Sequence, residues 1–299
     1  MTTTLVELSD LSMRYAAQLA LDSLNLTIKS GAVLGLLGPN GAGKSTCLRL
    51  LVGIMRASGG QVRVFGKDVI ANGTAVRQHI GYVPENPQLY PWMTVAEVMR
   101  FASAAYQNWS SSLADDLCRT FELPKDRRIK QLSQGMKVKA ALLVALAHRP
   151  RLLVLDEPMS GLDPLARDEL MEIFVDLKHQ ETECVIFSSH HIDDVTRIAD
   201  EIAILNEGRL LVHESMEAML LDTKRIEAVL VDGRLPGFDL PQVVWQYVNR
   251  RQWSVTVHPF DSSLINTLNA SDAISSTSVE DLSLEQIFKD WIKGTKTQC

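Results

Sequence analysis

Cysteine is scarce in this 299-residue chain: Cys47, Cys118, Cys184 and Cys299 stand far apart, without the close spacing of a zinc site or a disulfide framework. Cys47 and Cys184 are expected to act as small buried apolar residues. Long apolar runs are missing too. Stretches such as Ala140 to Ala147 and Ala32 to Leu37 fall well short of the ~20 residues that cross a bilayer, and the N-terminus lacks a basic-then-apolar leader. The chain is therefore expected to be soluble and cytoplasmic. There is no basic excess: the formal net charge is -6, which supplies no general attraction to nucleic acid or anionic lipid, although local basic patches remain open. Internal repeats and low-complexity tracts are also absent. What remains, 46% hydrophobic and 22% charged, is the composition of a globular protein long enough for one large domain and a small one.

Short β-rich runs, Val33 to Leu37, Leu152 to Leu155 and Val185 to Phe187, alternate with longer helical patterns, the rhythm of an α/β domain around a buried parallel sheet. Between the first two lies a mostly helical stretch in which Thr94 and Glu97 form a capping box ahead of Val98, Met99 and Phe101. A helical subdomain is expected over about residues 86–140. Beyond about Asp222, Arg234, Pro236, Gly237 and Pro241 interrupt the chain, and β-rich pieces follow at Ile226 to Val231 and Trp253 to Val257. These point to a second, small α+β domain over 223–299. Within it, Ser275 to Ser278 is expected to be a loop ahead of a final helix near Leu284 to Ile292.

Gly38-Pro39-Asn40-Gly41-Ala42-Gly43-Lys44-Ser45-Thr46 satisfies G-x-x-x-x-G-K-[ST] between an apolar strand and an apolar-periodic helix, expected over Cys47 to Ile54. Glycines let backbone N–H groups converge on phosphates, and the helix turns its positive end towards them. Lys44 would reach the β and γ phosphates, Ser45 would offer a hydroxyl to Mg²⁺, and Thr46 would bond the phosphates through its hydroxyl and N–H. ATP is the expected ligand.

Leu152 to Leu155 ends in Asp156-Glu157-Pro158, so both acids emerge at the carboxyl end of a strand, where α/β proteins bind ligands. Asp156 suits Mg²⁺ held mainly through water. Glu157 is then free to polarise the attacking water. A solvated acidic turn would explain the two acids alone; the phosphate loop in the same chain favours the functional reading.

A third motif, Leu132-Ser133-Gln134-Gly135-Met136, opens a helix shortly before that strand and resembles the LSGGQ signature of ATP-binding cassette (ABC) ATPases. The resemblance spans about residues 5–222 and implies a P-loop NTPase cassette with a RecA-like core and a helical subdomain. It implies that Ser133 and Gly135 form a second anion-binding helix start facing the ATP of an opposite cassette. By the same resemblance Tyr15 is the aromatic that stacks on adenine, Ser160-Gly161-Leu162-Asp163 is the D-loop crossing the dimer interface, and His190, rather than His191, is the switch histidine at the γ-phosphate.

Two segments depart from the family pattern. Glu85, in Val83-Pro84-Glu85, stands where the family usually has glutamine, and Gln134 and Met136 replace Gly and Gln in the signature. Glu85 is a further candidate Mg²⁺ ligand, though it adds negative charge beside Asp156 and Glu157. The ending Val279 to Phe288 resembles the tail of cassettes in bacterial drug- and peptide-export systems of the ABC-2 type. The resemblance therefore implies an ATP-hydrolysing subunit at the cytoplasmic face of the membrane, paired with a second cassette, identical or not, and with separate transmembrane permease subunits. An apolar cluster, Leu89, Tyr90, Trp92 and Met93, is a candidate docking surface, with core packing as the alternative. Two other readings are a soluble ABC ATPase acting on nucleic acid or the ribosome and a phosphate-loop small-molecule kinase. The single cassette and the short span between Lys44 and Ser133 argue against the first; the signature and D-loop argue against the second.

Overall fold

The computed structural model describes residues 3–16, 18–177, 182–237, 240 and 242–297, so Pro241 and Cys299 lie outside the described residues. The chain divides into two compact units, Met1–His213 and Glu214–Cys299.

The first unit opens with two long strands, β1 (Thr4–Tyr15) and β2 (Gln18–Lys29), that pair antiparallel. Their alternating apolar positions, among them Leu8, Leu11, Leu21, Leu24 and Ile28, are fully buried, as expected of strands with one wet face. β3 (Val33–Leu37) follows and is buried at every position. The phosphate-loop segment leads into α1 (Lys44–Leu51), then β4 (Gly59–Val64) and β5 (Lys67–Asp68) complete a sheet of order β2-β1-β4-β5. The sequence placed this helix at Cys47 to Ile54. It starts earlier because the loop runs directly into the first turn, and it stops earlier because Gly53 takes a left-handed conformation (φ 69) after the Val52 cap.

After α2 (Gly73–Arg77) and β6 (Ile80–Val83) the chain enters the helical segment: α3 (Val95–Ser103), α4 (Ser111–Thr120) and α5 (Gln134–Leu146). The expected capping box is present. Glu97 N–H donates to Thr94 Oγ1 at 3.2 Å, and Thr94 N–H donates to Glu97 Oε2 at 2.8 Å. The chain then alternates β7 (Leu152–Leu155), α6 (Pro164–Leu177), β8 (Cys184–Ser189), α7 (Ile192–Ile198), β9 (Glu201–Asn206) and β10 (Arg209–Ser215). The second sheet has the order β10-β9-β3-β8-β7-β6, and its five members from β9 to β6 run parallel. One buried apolar cluster joins residues of both sheets through Cys47, Leu48, Leu50 and Leu51 of α1. Cys47, Cys118 and Cys184 are all buried and free.

The second unit holds α8 (Met216–Asp222), capped by Ser215, then β11 (Lys224–Leu230), β12 (Val243–Asn249), β13 (Gln252–Val257), α9 (Ser263–Asn269), β14 (Ile274–Asp281) and α10 (Leu284–Thr297). The sheet order is β12-β13-β11-β14. Ile226, Ala228, Leu230, Trp253, Val255 and Val257 pack with Leu264 and Leu268 of α9. Alternation sends Arg225 and Thr256 the other way, where both bond Oδ2 of the buried Asp290 in α10 at 2.5 Å.

The expected loop at Ser275 to Ser278 is wrong: these residues form the middle of β14. Backbone pairing with β11 makes the strand, in the register Ile226↔Val279 and Ala228↔Thr277, while its position at the sheet edge leaves the serine side chains in water. The final helix continues past Ile292 to Thr297.

Candidate functional site

Parallel pairing puts the carboxyl ends of four strands on one edge of the sheet, with Leu37 beside Ser189, Leu155 beside Phe187 and Val83 beside Leu155. The phosphate loop follows β3, Glu85 follows β6, Asp156 and Glu157 follow β7, and His190 follows β8. All but Asp156 border a cleft of about 560 Å³ lined by Tyr15, Asn40, Gly41, Ala42, Gly43, Lys44, Ser45, Thr46, Glu85, Glu157 and His190, with Gln18, Ala20 and Ser160.

The loop fits its role locally. Gly43 has φ 105, and a Cβ there would stand 2.7 Å from the Ala20 carbonyl oxygen, so only glycine lets the chain turn into α1 at this point. Lys44 is 6% exposed. Its Nζ donates to the Gly38 carbonyl at 2.7 Å and the Pro39 carbonyl at 3.3 Å, and pairs with Glu157 Oε1 at 3.1 Å. Gly38 and Pro39 thus serve the cleft through their carbonyls.

Asp156 is fully buried and does not itself line the cleft, but bonds Ser45, which does. Its Oδ1 accepts from Ser45 Oγ at 2.9 Å and from Ser188 Oγ at 2.9 Å. Its Oδ2 is buried with no hydrogen-bond partner among the described residues. Burial first, and then the charge of Asp156, push the Cys47 thiol up to about 12, so this cysteine is inert.

Glu157, 8% exposed, has φ 47, a rare value for a residue with a side chain. Its N–H donates to Ser188 Oγ at 2.8 Å. Oε1 meets Lys44, and Oε2 meets His190 Nδ1 at 2.8 Å and accepts from the His190 N–H at 3.3 Å. His191 lies against His190, the rings tilted by 39° with centroids 4.0 Å apart, but does not border the cleft. Burial, then the neighbouring His190 and Arg167, hold its pKa below the ordinary histidine value. Tyr15 is 42% exposed at the rim, its hydroxyl donating to Met55 Sδ at 3.4 Å.

Ser133, Gly135 and Asp163 are not brought into this cleft. Ser133 Oγ caps α5 by accepting from the Met136 N–H at 3.2 Å, and Asp163 Oδ1 caps α6 by accepting from the Ala166 N–H at 3.0 Å. Gly135 is buried where α5 approaches α6, and a Cβ there would lie 3.1 Å from Ala166 Cβ. The sequence reading missed Gln18, Ala20, Ser160 and Ser188. Ser160 opens the segment quoted as the D-loop, and Ser188 stands two residues before His190. Gln18 and Ala20 arrive on an antiparallel strand that carries no local signal of its own.

A divalent cation fits the donors. The partnerless carboxylate oxygen of Asp156 and the Ser45 hydroxyl are hard oxygen ligands, the kind Mg²⁺ prefers. No group of three or more His, Cys, Asp or Glu among the described residues could hold a metal alone.

The doubly layered fold and this loop-and-carboxylate cleft define a P-loop protein. Residues 21–160 match the model of the ABC transporter family. The bacitracin transport ATP-binding protein BcrA of Bacillus licheniformis is 31% identical over 70% of this chain and 69% of its own length. An uncharacterized ABC transporter ATP-binding protein of Synechocystis is 37% identical over 72% of this chain; the chain spans 62% of that relative's length. A solved ATP-binding subunit of an ABC transporter superposes with TM-score 0.65 at 31% identity, covering 72% of this chain and 91% of that one. The chain belongs to the ABC transporter ATP-binding family.

Proposed function

We propose that the chain hydrolyses ATP as the nucleotide-binding subunit of an ABC membrane transporter, of the exporter kind, at the cytoplasmic face of the membrane. The convergence of Lys44, Glu157 and His190 beside the Ser45–Asp156 pair carries this reading. The ATPase domain is taken as 5–222, with its helical subdomain about 86–140, and 223–299 as an accessory domain. Two cassettes, identical or different, close on ATP, each supplying Ser133, Gly135 and Asp163 to the partner's nucleotide. Separate transmembrane permease subunits complete the machine. No helix among the described residues is long and apolar enough to cross a membrane. Tyr90, Trp92 and Phe101 leave apolar surface exposed on the helical segment, with Tyr90 5.1 Å from Trp92 and 5.4 Å from Phe101 between ring centroids, a fit for a permease helix.

The phosphates of ATP would draw Lys44 Nζ away from Glu157. Freed of that charge, Glu157 accepts a proton from the attacking water while His190 steadies it and the γ-phosphate. Tyr15 stacks on the adenine, and the N–H groups from Asn40 to Thr46 hold the phosphates. Ser45 and Asp156, with Glu85 as a third candidate, would hold Mg²⁺, which when bound offsets charge on the β and γ phosphates. Glu157→Gln tests the reading. Steady-state hydrolysis should fall by about two orders of magnitude or more while ATP still binds, and the variant should accumulate as an ATP-bound dimer on size-exclusion chromatography. Turnover at the wild-type rate would show Glu157 misassigned.

A further inference from the structure

Ser188 lies near the end of β8, follows four buried apolar residues and has no exposed surface. A hydroxyl in such a place needs a reason, because burying it costs free energy unless it is bonded. Ser188 Oγ makes two bonds of opposite sense: it donates to Asp156 Oδ1 at 2.9 Å and accepts from the Glu157 N–H at 2.8 Å. The second bond falls on the residue whose backbone stands at φ 47, a conformation that persists only where its surroundings impose it. The first bond, with that from Ser45, fills Oδ1 and leaves Oδ2 as the open oxygen.

We propose that Ser188 is a positioning residue for hydrolysis: its hydroxyl locks the Asp156–Glu157 turn, so that the Glu157 carboxylate is held towards the attacking water. The inference rests on the assignment of Glu157 above. Ser188 does not border the cleft, so its action runs through Glu157, and it contributes to turnover more than to ATP binding.

The test is a double-mutant cycle on the full chain, with kcat and KM for ATP, affinity for a fluorescent ATP analogue with Mg²⁺, and thermal unfolding measured for each variant. Ser188→Ala is expected to lower kcat on the order of tenfold, the scale of one bond lost at a charged group. Analogue affinity should stay within about twofold, since uniform binding is untouched. Ser188→Thr should hold kcat near wild type. In a Glu157→Gln background Ser188→Ala should cause no further loss, because the group it positions is gone. An affinity loss matching the rate loss, or a full further loss in that background, would overturn the proposal. Wild-type turnover of Glu157→Gln alone would instead overturn the assignment of Glu157, and this inference with it. Should Ser188→Ala fail to fold, Ser188→Cys, a weaker donor of similar size, takes its place in the cycle, with a smaller loss expected that again vanishes beside Glu157→Gln.

Discussion

Lys44 holds a nearly buried positive charge against Glu157 and two loop carbonyls, so its replacement removes the cation that phosphates would meet. Lys44→Ala should weaken ATP affinity by about tenfold or more, since charge-assisted bonds are the strong ones; equilibrium binding of a fluorescent ATP analogue checks this. A second effect at this scale concerns pH. His148 is fully buried and stacked on Tyr106 at 3.9 Å, with Nδ1 3.4 Å from the Val144 carbonyl and Nε2 3.3 Å from the Ile80 carbonyl, of which the neutral ring donates to one. Burial pushes its pKa below the ordinary 6.5, with His79 adding to the shift and the carbonyls opposing it. The unfolded chain therefore takes up this proton first as pH falls, so stability is intact above the unfolded value and declines below it. The melting temperature should drop between about pH 7.5 and about pH 5.5, and the drop should shrink in His148→Gln. At the residue scale the site was legible where chemistry is written in recognisable letters: Gly38 to Thr46, Asp156-Glu157 and His190. Ser188 itself was hidden, because what it bonds is decided by the register of β7 against β8 and not by its neighbours in sequence.

Elements were legible in proportion to how strongly the pattern, rather than the partner, decides them. The strands β3, β7 and β8 are continuous apolar runs, and the Thr94–Glu97 box is a local bond, so both could be read from the chain. Thr94→Ala should cost about 1 kcal/mol in urea unfolding. The strand β14 was not legible, because its serines carry no apolar alternation and only pairing with β11 extends them. The sheet of β1, β2, β4 and β5 was hidden for a similar reason: β1 joins β4 through residues far apart in sequence, such as Val6↔Val64, and only the outcome brings Ala20 against Gly43. Close packing between elements gives a further check. A Cβ on Gly35 of β3 would stand 2.5 Å from Val195 Cγ1 and 3.2 Å from Ala199 Cβ of the α7 region. Gly35→Ala should therefore destabilise the fold by about 1–3 kcal/mol through overpacking, measured by the same unfolding.

At the scale of the whole molecule, the residues that line the cleft all belong to the first unit. The second unit has its own core and a buried Arg225–Asp290–Thr256 network, yet nothing in its sequence pattern names a ligand. The bond between Arg225 and Asp290 is structural. Arg225→Ala should leave Asp290 buried without its cation and cost about 3–5 kcal/mol, seen as a lowered melting temperature of the full chain. The signature residues Ser133 and Gly135 stay outside the cleft of a single copy, which suits the proposed pairing with other subunits. The most direct measurement is purification of the tagged full chain from gently solubilised native membranes, with ATPase activity assayed and co-purifying proteins identified. The expected result is a stoichiometric polytopic membrane protein whose presence changes the rate of ATP hydrolysis. Recovery of ribosomes or nucleic-acid-binding proteins, with no membrane partner, would contradict it.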